Sequence, residues 1–118
     1  MKDIEMKREN AELRVTLGTK LTATETPELQ MLLKEKIADG VRSLIFDLKK
    51  TATLDSTGIG LLVAANNSLI AAQGQIKLVC VSTDILRLLK SMRLADRLHA
   101  TAEDGFFGGG EGGGKGGR

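Results

Sequence analysis

The chain of 118 residues has little of several residue types that mark common functional classes. It has one cysteine, Cys80, and one histidine, His99, so it cannot form an intramolecular disulfide. These two residues alone cannot complete a four-ligand zinc site, and no metal site is expected. A nucleophilic pair of Cys80 and His99 stays open as an alternative to ordinary structural roles.

Aromatic residues, net charge and long apolar runs are also scarce. Three phenylalanines are the whole aromatic set, and the formal net charge is +2, so neither a base-stacking platform nor a basic nucleic-acid footprint is indicated. No apolar run approaches the length of a bilayer span, and the charged start 1–10 does not resemble a secretion signal. We therefore expect a cytoplasmic protein without membrane insertion and without direct nucleic-acid binding.

Two spacings of apolar residues predict the secondary structure. Ile4 and Met6, and then residues 12–17, alternate with polar neighbours, which predicts two strands joined as a hairpin. Further strands are predicted at 41–48, 76–81 and 98–101, the first two of them buried. Residues 49–54 read as a loop.

Three helices are expected between these strands. The first begins at Thr26, whose hydroxyl would cap it ahead of Pro27, and Gly40 ends it. The second follows Asp55 and closes at Gly74, and the segment Ser82-Thr83-Asp84 caps the third. This alternation predicts an α/β class, with a mainly parallel sheet of four to five strands, an antiparallel N-terminal strand and helices packed on the sheet.

Composition divides the chain into two parts. Residues 1–104 have the mixed composition of one globular domain. Residues 105–118 hold nine of the fourteen glycines and few apolar side chains, which predicts a disordered glycine-rich tail.

The most informative segment is Asp55-Ser56-Thr57-Gly58-Ile59-Gly60, where a strand passes into a helix. It lacks the lysine of a phosphate-binding loop, and Leu54 stands where a nucleophile elbow needs glycine. The residue types and their place at a helix N-terminus leave two interpretations open. Asp55 or Ser56 caps the helix while the glycines allow close packing, or the segment is a functional site at a helix N-terminus.

The segment resembles the signature of anti-sigma factor antagonists in the STAS family, which reads aspartate, serine, serine or threonine, glycine, isoleucine or leucine, and glycine. The strand at 44–48 and the turn and strand at 74–79 also resemble the family's elements around that signature. The resemblance extends over about 4–102 and implies a STAS-like fold.

The resemblance implies a binding function without catalytic residues or cofactors. The unphosphorylated antagonist would bind an anti-sigma factor, often a serine kinase of the GHKL type, and thereby release a sigma factor. The kinase would use its own ATP to phosphorylate Ser56, and a serine phosphatase would reverse the modification. The alternative within the same family is a STAS accessory subunit of a bacterial ABC transporter of the phospholipid type.

The resemblance also implies which residues meet the partner. They lie in the loop after the second strand and at the start of the motif helix: Thr22, Thr24, Asp55, Ser56, Thr57, Gly58 and Ile59. Family members usually have an acidic residue at this position, so Thr22 departs from the family pattern. We also expect Gly58→Val to weaken partner binding more than folding, because a branched side chain would crowd the docking surface.

Overall fold

Seven strands and three helices follow one another in the computed structural model, which describes residues 4–102. The strands are β1 (Glu5–Glu9), β2 (Glu12–Thr16), β3 (Lys20–Leu21), β4 (Ser43–Asp47), β5 (Thr53–Leu54), β6 (Gln75–Val81) and β7 (Ala100–Ala102). The helices are α1 (Thr26–Ala38), α2 (Ser56–Ala71) and α3 (Thr83–Ser91). The expected glycine-rich tail, 105–118, lies outside the described residues.

The main sheet has five strands in the order β1-β2-β4-β6-β7. Strand β1 pairs antiparallel with β2, as the hairpin prediction required, and all other neighbours in this sheet are parallel. The predicted α/β class is confirmed. Strand order advances in one direction from β2 to β7, so right-handed crossovers place α1, α2 and α3 side by side on one face.

The core lies between that face of the sheet and the three helices. Leu13, Leu44, Phe46 and Leu78 point into it and are no more than 1% exposed. On the opposite face Lys77 meets solvent, so the strands predicted as buried at 41–48 and 76–81 are fully buried on one face only, because the helices cover one side of the sheet. Burial of these apolar side chains supplies most of the free energy that favours folding.

A second sheet of two short strands, β3 and β5, was missed by the sequence analysis, which read 49–54 as a loop. The strands pair in parallel, with Leu21 opposite Leu54. Two residues are too few to show an alternating pattern. The pairing brings the loop after Leu21 beside the start of α2, which builds the candidate site.

Two helix ends differ from the predictions. Thr26 does not cap α1, because Glu25 precedes the helix and provides no side-chain cap, and Thr26 is itself buried. After α2, the left-handed residue is Gln73, at a φ of 64°. Gly74 is required for a different reason, since a Cβ there would overlap the carbonyl of Arg42. The Ser82 cap is confirmed by a bond from the Ile85 N–H at 3.3 Å.

Candidate functional site

Helix α2 begins with an aspartate cap. Asp55 has an extended backbone, and its Oδ1 accepts a hydrogen bond from the Gly58 N–H at 2.8 Å. This bond satisfies one of the backbone donors that a helix N-terminus leaves free. The capping interpretation therefore holds for Asp55, while Ser56 is the first residue of the helix.

The second carboxylate oxygen of Asp55 ties α2 to another part of the chain. Asp55 Oδ2 accepts a hydrogen bond from the Ala23 N–H at 3.2 Å. One half-buried carboxylate thus holds both the helix N-terminus and the loop after β3. The two segments that the sequence analysis assigned to partner binding are neighbours, and Asp55 is the residue that joins them.

The loop after β3 has its own internal structure. The N–H and the hydroxyl of Thr22 both donate to Glu25 Oε1, at 2.8 Å and 2.7 Å. The Thr22 carbonyl accepts bonds from the N–H groups of Glu25 and Thr26. Two hydrogen bonds hold the pKa of the Glu25 carboxyl below its usual value. The bond from the Thr22 hydroxyl has the larger effect, and the bond from the Thr22 N–H has the next largest.

Glu25 and the Ala23 N–H are functional groups that the sequence analysis missed. A threonine followed three residues later by glutamate is the capping-box pattern, so the spacing of Thr22 and Glu25 was a usable signal. No local signal points to Ala23, because its partner Asp55 is 32 residues away.

Three hydroxyl side chains are exposed in the loop after β3 and at the start of α2: Thr24, Ser56 and Thr57. None of the three makes a side-chain hydrogen bond with any residue in 4–102. Their oxygens are therefore accessible to a second protein. The Thr22 hydroxyl differs, since it is half-buried and committed to Glu25.

Two residues assigned to the partner surface lie inside instead. Ile59 is 6% exposed, and Gly58 is also buried. A Cβ at Gly58 would overlap the carbonyl oxygen of Leu21 and crowd the Leu54 side chain. The reason given for the effect of Gly58→Val, crowding of the docking surface, is therefore wrong. The added side chain would collide with the protein's own backbone and disrupt folding.

Other candidate chemistry finds little support in the described part of the chain. Burial, followed by the charge of Asp47, raises the pKa of the Cys80 thiol, which keeps it protonated and poorly nucleophilic at neutral pH. His99 Nδ1 lies 2.7 Å from the Ile76 carbonyl oxygen. Within 4–102 no three His, Cys, Asp or Glu side chains gather as a metal site, and no helix could cross a bilayer.

Comparison with known proteins places this geometry in a family. The profile of the STAS domain matches residues 3–104. The anti-sigma-B factor antagonist of Staphylococcus aureus is 30% identical over 97 residues, which cover 82% of this chain and 90% of the relative.

Two solved structures share the fold. The anti-sigma factor antagonist SpoIIAA in its unphosphorylated form matches with a TM-score of 0.68 at 18% identity, covering 74% of this chain and 81% of that chain. The Bacillus cell fate determinant SpoIIAA in its phosphorylated form matches with a TM-score of 0.70 at 16% identity, covering 86% and 93%. The chain therefore belongs to the STAS domain family, in which anti-sigma factor antagonists are its relatives.

Proposed function

We propose that this protein is an anti-sigma factor antagonist that binds an anti-sigma factor in its unphosphorylated form and so releases a sigma factor. The observation that carries the proposal is the Ser56 hydroxyl, which is exposed at the start of α2 and makes no hydrogen bond within 4–102. It lies beside the loop whose Ala23 N–H donates a hydrogen bond to Asp55. The relative from Staphylococcus aureus, an anti-sigma-B factor antagonist by name, supports the same role. The protein acts by binding, in the cytoplasm, without a catalytic step of its own.

Phosphorylation of Ser56 is the proposed control. A phosphate adds about −1.5 to −2 charges at neutral pH, and the positive end of the α2 dipole accepts that charge without loss of the helix. Next to Asp55 the new group creates a concentrated negative patch on the exposed surface. A partner packed there meets added bulk, repulsion and the cost of desolvating the phosphate, so its affinity falls.

The enzymes that set this state are other proteins. The bound anti-sigma factor is a serine kinase of the GHKL type that transfers phosphate from its own ATP to Ser56, and a serine phosphatase removes it. SpoIIAA, which shares this fold, has been solved in both unphosphorylated and phosphorylated forms, which supports a modification compatible with the folded domain.

The first test replaces Ser56. We expect Ser56→Ala to bind the purified anti-sigma factor as tightly as the wild type while resisting phosphorylation. We expect Ser56→Asp to fold normally and to bind at least tenfold more weakly, because it places a charge on the docking surface. Thr57→Ala is the matched control, since Thr57 is the adjacent exposed hydroxyl. Isothermal titration calorimetry gives the affinities, and mass spectrometry after incubation with kinase and ATP locates the phosphate.

Two results would contradict the proposal. Phosphate found at Thr57 would move the control by one residue. Equal affinities of wild type, Ser56→Ala and Ser56→Asp would remove it, and recovery of an ABC transporter ATPase with the wild type would favour the accessory-subunit alternative.

A further inference from the structure

Helix α2 differs from its neighbours in carrying no charge. None of the residues in Ser56–Ala71 is Asp, Glu, Lys or Arg, although 27% of the whole chain is charged. Its exposed positions include small residues such as Gly60, Ala64 and Ser68. Charged residues are depleted at the centres of protein interfaces, so an uncharged surface helix suggests a covered one.

The side of each helix that faces the next one can be read from the contact between α1 and α2. Gln30 and Lys34 of α1, each one position after a buried leucine, line a small cavity shared with α2. Ala64 and Ser68 of α2, each one position before a buried residue, line the same cavity from the other side. All three helices run in parallel on one face of the sheet, so the same rule applies between α2 and α3.

By this rule the surface between α2 and α3 is apolar toward the ends of the two helices, whereas nearer the start of α3 Asp84, which precedes the buried Ile85, also faces α2. Val63 and Ile70 follow buried leucines of α2 and face α3, while Leu88 precedes the buried Leu89 and faces α2, with Met92 one turn further. We call the surface of Val63, Ile70, Leu88 and Met92 the α2–α3 groove. Ile70 is 59% exposed, Met92 45% and Leu88 37%, so three of the four large exposed apolar residues in 4–102 lie in it.

Interface size connects this groove to Ser56. A specific interface buries about 800 Å² on each partner, which exceeds what one helical turn and one loop can offer. From Ser56 the uncharged surface continues down α2 to Ile70, about 21 Å away at 1.5 Å per residue. Exposed charged residues lie outside α2, for example at Lys20, Lys49 and Lys50. A partner that senses Ser56 therefore finds its largest apolar contact along α2.

We propose that the anti-sigma factor covers the outer face of α2 and packs aliphatic side chains into the α2–α3 groove. This inference rests on the proposed function and extends the docking surface beyond the first turn of α2. The partner chemistry follows from the groove, because aliphatic side chains match Ile70, Leu88 and Met92, and the absence of charge on α2 favours an uncharged contact face.

The experiment uses the full chain and the purified anti-sigma factor that binds the wild type. We expect Ile70→Glu and Met92→Glu each to weaken binding at least tenfold, because each places a charge in an apolar contact. Met31→Glu is the matched control, since Met31 is 65% exposed on α1, away from the groove, and its affinity should stay within twofold. Thermal unfolding of all three variants should match the wild type, because the replaced side chains are exposed.

The outcomes separate this inference from the proposed function. If the wild type binds the anti-sigma factor, Ser56→Asp weakens that binding, and Ile70→Glu and Met92→Glu bind like Met31→Glu, the groove is not part of the interface while the function stands. If the wild type does not bind an anti-sigma factor, both proposals fail. Concentration-dependent dimers in light scattering that Ile70→Glu abolishes would assign the groove to a second copy of the chain and overturn the inference.

Discussion

The two glycines of the motif look equivalent in the sequence, but their surroundings are opposite. Gly58 faces inward, where a Cβ would overlap the Leu21 carbonyl oxygen. Gly60 is exposed, and a Cβ added there would meet no atom within 4 Å. One glycine is therefore required by close packing, whereas the other gives up helix stability without a packing gain.

We predict that Gly58→Ala and Gly60→Ala change stability in opposite directions. Gly58→Ala should lower the free energy of unfolding by about 2 kcal/mol or more, because overpacking against backbone forces the β3 loop and α2 apart. Gly60→Ala should raise it by about 0.5 to 1 kcal/mol, since alanine is the better helix former. Urea unfolding followed by circular dichroism measures both. A Gly58→Ala variant as stable as the wild type would show that the loop moves aside freely.

At the scale of elements, the turn before α1 depends on one carboxylate. The N–H and hydroxyl of Thr22 both donate to Glu25 Oε1, and these bonds favour the ionised form. Because they lower the pKa of Glu25 in the folded protein, the stability they provide is present above the ordinary value of 4.5 and is lost as the pH falls through the lower folded value.

This leads to a prediction about the order of the loop. In the wild type, amide exchange at Thr22 should be slow at neutral pH and should accelerate, beyond its intrinsic pH dependence, once the pH falls through the folded pKa of Glu25. In Glu25→Gln the extra acceleration should be absent, because the side-chain amide of glutamine does not titrate. Hydrogen exchange followed by nuclear magnetic resonance gives the comparison. Identical pH profiles for the two proteins would mean that the carboxylate does not control the turn.

At the scale of the whole molecule, the buried apolar residues of the described part extend from Leu13 to Leu98. We predict that removal of 105–118 leaves the melting temperature and the affinity for the anti-sigma factor nearly unchanged, because no residue of that core is lost and glycine-rich segments contribute little packing. Calorimetry of the full and shortened chains tests this. A large fall in melting temperature would assign a structural role to the removed segment.

Much of this fold could be predicted from local patterns. The alternation of apolar residues in 12–17 and the run Leu44-Ile45-Phe46 identify strands, because each pattern reports burial of side chains on neighbouring residues. The segment Ser82-Thr83-Asp84 was predicted to cap α3, and the structure assigns the cap to its first residue. Thr26 was misassigned because a hydroxyl before Pro27 satisfies the same local rule, while the chain enters α1 through the turn of Thr22 and Glu25.

The site could be predicted only in part. The motif and the loop after the second strand were predicted together as a partner surface, and the structure brings the two segments together through Asp55. Which side chains are available could not be read from the sequence, because exposure of Ser56 and burial of Gly58 and Ile59 depend on how α2 sits against β3.

The sequence by itself determined the order of the helices and of the strands of the main sheet, the α/β class and the position of the serine that begins α2, since all of these follow from spacings within a few residues. The tertiary structure alone decided the pairing of β3 with β5, the bond from Ala23 to Asp55 and the close approach of Gly58 to the Leu21 carbonyl. Each of these joins segments that are distant along the chain. They exist only after burial of the common core has brought those segments together, and no local pattern encodes that contact.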